Sequence, residues 1–172
     1  MEYASSSGTE ATLVLLVDAD PGTRGWVRPM LLAHGLDVIQ ARSSLAALEL
    51  LQRMPERFRL VIVSLEMRDL PGAVVLETLR LFRSGLTTLC VTAAERVTAS
   101  GTSGPCLSRS ARADDLEHQI VDALSGRTTA SAGTATAEAT ARATAAFATS
   151  ANLLEAAREL ARGMLDEAAD QW

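Results

Sequence analysis

The chain has 172 residues, 48% of them hydrophobic and 22% charged, which allows one sizeable core with length left over for an appendage. A net charge of -5 and a pI near 5.1 argue against a nucleic-acid surface, which needs clustered cations to neutralise phosphates. All 16 basic residues are arginine, so any mechanism that requires a lysine amine is excluded, and the bias itself suggests a GC-rich bacterial genome.

Residues 1–11 are small and polar and read as a disordered lead. They carry no positive segment before the apolar LVLLV, and no run approaches transmembrane length, so a cytoplasmic location is expected. TLVLLV (12–17) is a continuous apolar run of strand length ending at Asp18, the pattern of a strand buried on both faces. Asp20-Pro21 then supplies an N-cap and a proline at the first helical position, and Val27, Leu31 and His34 mark one helical face up to Gly35. Pro29 falls inside that helix and is expected to kink it.

The alternation repeats. LDVIQA (36–41) reads as a strand, followed by a helix capped at Ser43 or Ser44 through Leu45, Leu48 and Leu51. LVIVS (60–64) is the third strand, and Pro71-Gly72 leads into the helix AVVLETLRLF. LTTLCVT (86–92) is the fourth strand, AAERVTASGTSG (93–104) a weak segment, and PCLS (105–108) a short fifth strand before a helix capped at Asp114. Five strand–helix units in series imply an α/β protein with a doubly wound parallel sheet over residues 12–126. Cys90 and Cys106 lack CxxC or Cys/His spacing, so a zinc site is unsupported and both are expected as buried reduced thiols.

Residues 127–150 collapse to Ala, Thr, Ser and Gly, a linker composition that cannot bury enough apolar surface to fold alone. Residues 151–172 recover an amphipathic helical pattern, with a capping-box-like Asn152–Glu155 start and an apolar stripe that includes Leu153, Leu160, Met164 and Trp172. A short helix with such a stripe needs a surface to lie on. Docking on a protein partner, or on a second copy, is expected. Removal of 127–172 should then leave the sheet domain folded but without its partners.

At the carboxyl ends of strands one, three, four and five the chain presents Asp18-Ala19-Asp20, Ser64, Thr92 and Arg109, where open parallel sheets form their crevice. In order and spacing this set resembles the receiver domain of response regulators in bacterial two-component systems, over about residues 11–126. VDADPGTR (17–24) is similar to the family's acidic strand-one motif, SLEMRDLPG (64–72) to its phosphoacceptor loop, Val91-Thr92-Ala93 to the hydroxyl-bearing end of strand four, and LSRS (107–110) to its lysine-proline pair. The resemblance implies a flavodoxin-like fold and a part in phosphorelay-type signalling.

The departures fall on the chemistry. Ser64 stands at the position that the resemblance assigns to the acceptor aspartate, and a serine hydroxyl is not appreciably ionised near neutral pH. Ala19 replaces the second acid of the metal-binding pair, Arg109 the lysine, and Ser110 the proline. A hard cation that wants several oxygens has lost two carboxylates, so magnesium binding is expected to be lost, and no other cofactor is implied. Asp18 is expected to pair with Arg109, Asp20 to cap its helix and Thr92 to be an ordinary β-branched strand residue; Glu66 and Asp69 could restore carboxylates to the crevice, although solvated loop acids are the commoner case. Segment 93–104 is shorter than its equivalent in the family, and Cys106 sits where the family often keeps a switching aromatic.

The expected function is that of a pseudo-receiver acting by protein–protein contact independent of phosphorylation. The alternatives are a small-ligand-binding flavodoxin-like module, against which the acidic DADPG loop speaks, and an oligomerisation scaffold. Enzyme activity is not expected, because no nucleophile–base pair is visible and His34 and His118 lie on helices away from the crevice.

Overall fold

The computed structural model describes residues 12–83, 85–93, 105–109, 113–125 and 153–169, without the side chains of 113 and 163–169. The N-terminal lead, segment 94–104, Ser110, the linker 127–150, Asn152 and Trp172 lie outside the described residues.

Five apolar runs form the strands β1 (Leu13–Val17), β2 (Asp37–Ala41), β3 (Phe58–Ser64), β4 (Thr87–Thr92) and β5 (Cys106–Ser108). All neighbours are parallel in the order β2-β1-β3-β4-β5, the flavodoxin-like doubly wound arrangement. The helices among the described residues are α1 (Pro21–Ala33), α2 (Ser44–Arg53), α3 (Gly72–Phe82), α4 (Ala113–Leu124) and α5 (Leu153–Ala169).

Because the central strands are apolar on both faces, each face finds its own helices. Val14, Leu16, Leu60, Ile62, Leu89, Val91 and Leu107 pack with α1 and α4 through Val27, Leu31, Leu116 and Ile120. Leu15, Val17, Val61, Val63 and Cys90 pack with α2 and α3 through Leu48, Leu51, Val75 and Leu79.

Local signals fix the ends. Asp20 caps α1, its carboxylate accepting from the Thr23 N–H and hydroxyl, both at 2.8 Å. Those bonds, the backbone one foremost, hold the Asp20 carboxyl below the ordinary range. At the other end Gly35 takes φ 73°, and the Leu36 and Gly35 N–H groups donate to the Leu31 and Leu32 carbonyls, a Schellman closure that requires the left-handed conformation glycine permits. The helix runs on through Pro29 from Pro21 to Ala33. Asp114 does not cap α4; it lies with Asp115 in the first turn, where a carboxylate favours the positive end of the helix dipole.

Two expectations are overturned. Cys90 and Cys106 are joined as a disulfide, since the β4–β5 register places them directly opposite with Cα atoms 4.4 Å apart. The tail helix lies on the chain's own α2 and α3, where a partner surface was expected. Leu153, Ala156 and Ala157 are buried there, and Leu154, Leu160 and Ala161 pack against the same core. The apolar stripe had no reason to wait for another protein, because a second apolar surface within reach lowers the same water contact.

Candidate functional site

The parallel register aligns the strand ends in one row: Val17 opposite Val63, Ser64 opposite Val91, Thr92 opposite Ser108. Backbone bonds extend that alignment past the strands. The Leu65 N–H donates to the Val91 carbonyl at 2.8 Å, and the Arg109 N–H to the Thr92 carbonyl at 2.7 Å. Asp18, Ser64, Thr92 and Arg109 are therefore brought together as the sequence positions suggest, and the first three are buried.

Arg109 Nη2 is the hub. It lies 3.0 Å from Asp18 Oδ2 and 3.2 Å from Oδ1, donates to Ser64 Oγ at 2.7 Å, and faces Glu66 Oε2 at 3.7 Å. Asp18 is further held by the Asp20 N–H on Oδ1 at 2.7 Å, and Arg24, itself buried, donates to the Asp18 carbonyl. A carboxylate this deeply buried is tolerable only with such donors around it.

Of the two readings open for Glu66 and Asp69, solvated loop acid is the favoured one from sequence, and neither residue is an idle loop acid. Glu66 Oε1 accepts from the Thr92 hydroxyl at 2.6 Å and the Ala93 N–H at 2.9 Å, while Oε2 accepts from Ser64 Oγ at 3.3 Å. Thr92 is thus more than a strand former. Burial pushes the Glu66 carboxyl up, but the hydrogen bonds from Thr92 and Ala93 and the nearby Arg109 guanidinium outweigh it, and the group sits below the usual carboxylate range. Asp69 accepts from the Ser44 and Leu45 N–H groups at 3.1 and 2.9 Å, satisfying donors at the start of α2 that the Ser43 cap leaves open. The available signal was the register itself: Leu65 pairing with Val91 sets the next loop residue beside Thr92 and Ala93.

Gly72 sets the aim of this loop. A Cβ there would stand 2.0 Å from the Ser64 carbonyl oxygen, so only glycine lets α3 start against the Ser64 backbone.

The residues do not fit a divalent cation. Ala19 offers no side-chain oxygen, Ser64 a neutral hydroxyl, both oxygens of Asp18 face a guanidinium, and Asp20 is taken by Thr23. Among the described residues no three His, Cys, Asp or Glu side chains converge as a metal site. Ser64 and Thr92 each set a hydroxyl beside the Glu66 carboxylate, the arrangement that most resembles a nucleophile beside a base in this crevice. A carboxylate held below its usual range by three donors is a poor proton acceptor from an alcohol.

The depressed Glu66 pKa carries a pH prediction. Its contribution to stability is present above the unfolded value near 4.5 and is lost as pH falls through the lower folded value. Urea midpoints measured from pH 6 downward should therefore fall less steeply below about pH 4.5 in Glu66→Gln than in the wild-type chain, whereas parallel curves would show that the bonds contribute nothing.

Compared with known proteins, the chain matches no family model and no curated protein sequence. Its fold is found in many solved structures. The receiver domain of a response regulator from Clostridium thermocellum is 20% identical, with TM-score 0.58, covering 67% of this chain and 96% of that one. A signal receiver domain of an HD-domain-containing protein from Pseudomonas fluorescens Pf-5 is 18% identical, with TM-score 0.60, covering 68% and 97%. A response regulator protein from Thermotoga maritima, solved in complex with Mg2+-BeF, is 20% identical, with TM-score 0.58, covering 65% and 98%. The fold is that of a response regulator receiver domain. Among the described residues no helix is long and apolar enough to cross a membrane.

Proposed function

We propose that this chain is a pseudo-receiver in two-component or phosphorelay-type signal transduction, working through protein–protein contact without phosphoryl transfer. The observation that carries this reading is the state of position 64. A buried serine hydroxyl there is held between Arg109 and Glu66, so the acceptor position has no carboxylate and its hydroxyl is already engaged on both sides. Phosphoryl transfer also needs dense positive charge on the transferring group, and Ala19 and the engaged Asp18 leave no cation site to supply it. The chain is accordingly no enzyme and requires no cofactor, and the role places it in the cytoplasm, although the Cys90–Cys106 disulfide is of a kind more common in oxidising compartments.

The partner is a signalling protein or a second copy, reached through the receiver surface and the far end of the tail. Leu153 and Leu160 are engaged within the chain, and Met164 and Trp172 are the candidate contacts that the sequence pattern of the tail supplies. The full-length chain incubated with acetyl phosphate, and separately with magnesium and beryllofluoride, should show no adduct by mass spectrometry and no saturable change by NMR. Ser64→Asp alone should behave the same way. A phosphoryl adduct forming readily on the wild-type chain overturns the proposal.

A further inference from the structure

We propose that the crevice at the strand ends is an oxyanion site that the chain fills with its own Glu66 carboxylate, and that this internal ligand keeps external oxyanions out. Four donors of three kinds face that one group: the hydroxyls of Ser64 and Thr92, the Ala93 N–H and the Arg109 guanidinium. They come from the ends of three different strands, β3, β4 and β5. Such a convergence of a backbone N–H, hydroxyls and a guanidinium is how proteins hold carboxylate, phosphate and sulfate.

Two further observations make Glu66 a removable occupant instead of a structural strut. Its side chain is 42% exposed, against 2% for that of Asp18, so it enters the crevice from the solvent side. It also leads out of a loop, between β3 and α3, and not out of a regular element. Charge favours the internal occupant as well. Asp18 and Glu66 set two negative charges against the one positive charge of Arg109, a net of -1, so a phosphate approaching the filled site is repelled. With Glu66 neutralised or removed the same three positions sum to zero while the donors remain.

This inference goes beyond the lack of phosphoryl transfer, since it concerns non-covalent binding and assigns Glu66 a role. The test is a titration of the full chain with inorganic phosphate, following the Ala93 amide by NMR, in wild type and Glu66→Ala. Wild type should show no saturable shift, while Glu66→Ala binds at least about tenfold more tightly, the scale expected when a charge-assisted set of hydrogen bonds changes occupant. Equal binding by both chains, or none by a folded Glu66→Ala, overturns the proposal. Should the variant fail to fold, amide exchange in the wild-type chain decides. Ala93 is exposed as a residue, so slow exchange of its N–H supports an internal acceptor and exchange at the unstructured rate overturns one. Acetyl phosphate added to wild type separates the two readings: a covalent adduct there removes the pseudo-receiver assignment, whereas absence of phosphate binding in a folded Glu66→Ala removes only this one.

Discussion

Arg109→Ala is expected to destabilise the fold by roughly 3 kcal/mol, the low end for removing one partner of a buried ion pair. Asp18 is 1% exposed and would keep only the Asp20 N–H as a described donor to its carboxylate, 2.7 Å from Oδ1. Ser64 and Glu66 would lose the same nitrogen, which adds to the loss. The double change Asp18→Asn with Arg109→Ala should cost less than Arg109→Ala alone, because a neutral amide in that buried place has a much smaller desolvation cost than an unpaired carboxylate. Urea denaturation of the four proteins of the cycle gives the coupling directly. Simply additive losses would mean that the pair contributes nothing beyond its separate members.

Removal of residues 127–172 has the second large effect, and the structure changes its expected sign for the sheet domain. Leu153, Ala156 and Ala157 are buried against α2 and α3, so truncation strips a layer from the α2–α3 face instead of freeing an idle arm. Leu153 alone corresponds to about 1.5–3 kcal/mol of burial. Truncation should lower the urea midpoint clearly, and Leu153→Asp in the full chain should reproduce much of that loss by placing a charge in the seam. An unchanged midpoint in both would mean that α5 adds no stability where it lies.

The sheet was legible because its signals are local. Leu13–Val17 and Leu60–Ser64 are apolar on both faces, as strands between two helical layers must be, and Asp20-Pro21 and Gly35 punctuate α1 without help from distant residues. The row Asp18, Ser64, Thr92 and Arg109 was legible for a related reason: parallel strands deliver their carboxyl ends to one side. What escaped were contacts decided by register and tertiary packing. Glu66 reads as a loop acid until β3 and β4 are aligned, and Asp69 reads the same way until α2 is seen to start beside it. Cys90 and Cys106 are 16 residues apart in the chain, and only the β4–β5 pairing makes them neighbours. The stripe of α5 announces a need for cover but not its address.

The 3.3 Å contact between Ser64 and Glu66 also bears on which side chains position 64 can hold. An aspartate there would set a third carboxylate beside Asp18 and Glu66, with one guanidinium to share among them. Ser64→Asp alone is therefore expected to cost stability, and Glu66→Gln to relieve part of that cost by removing one of the three charges. The neutral hydroxyl is the side chain that the charge of its neighbours accommodates.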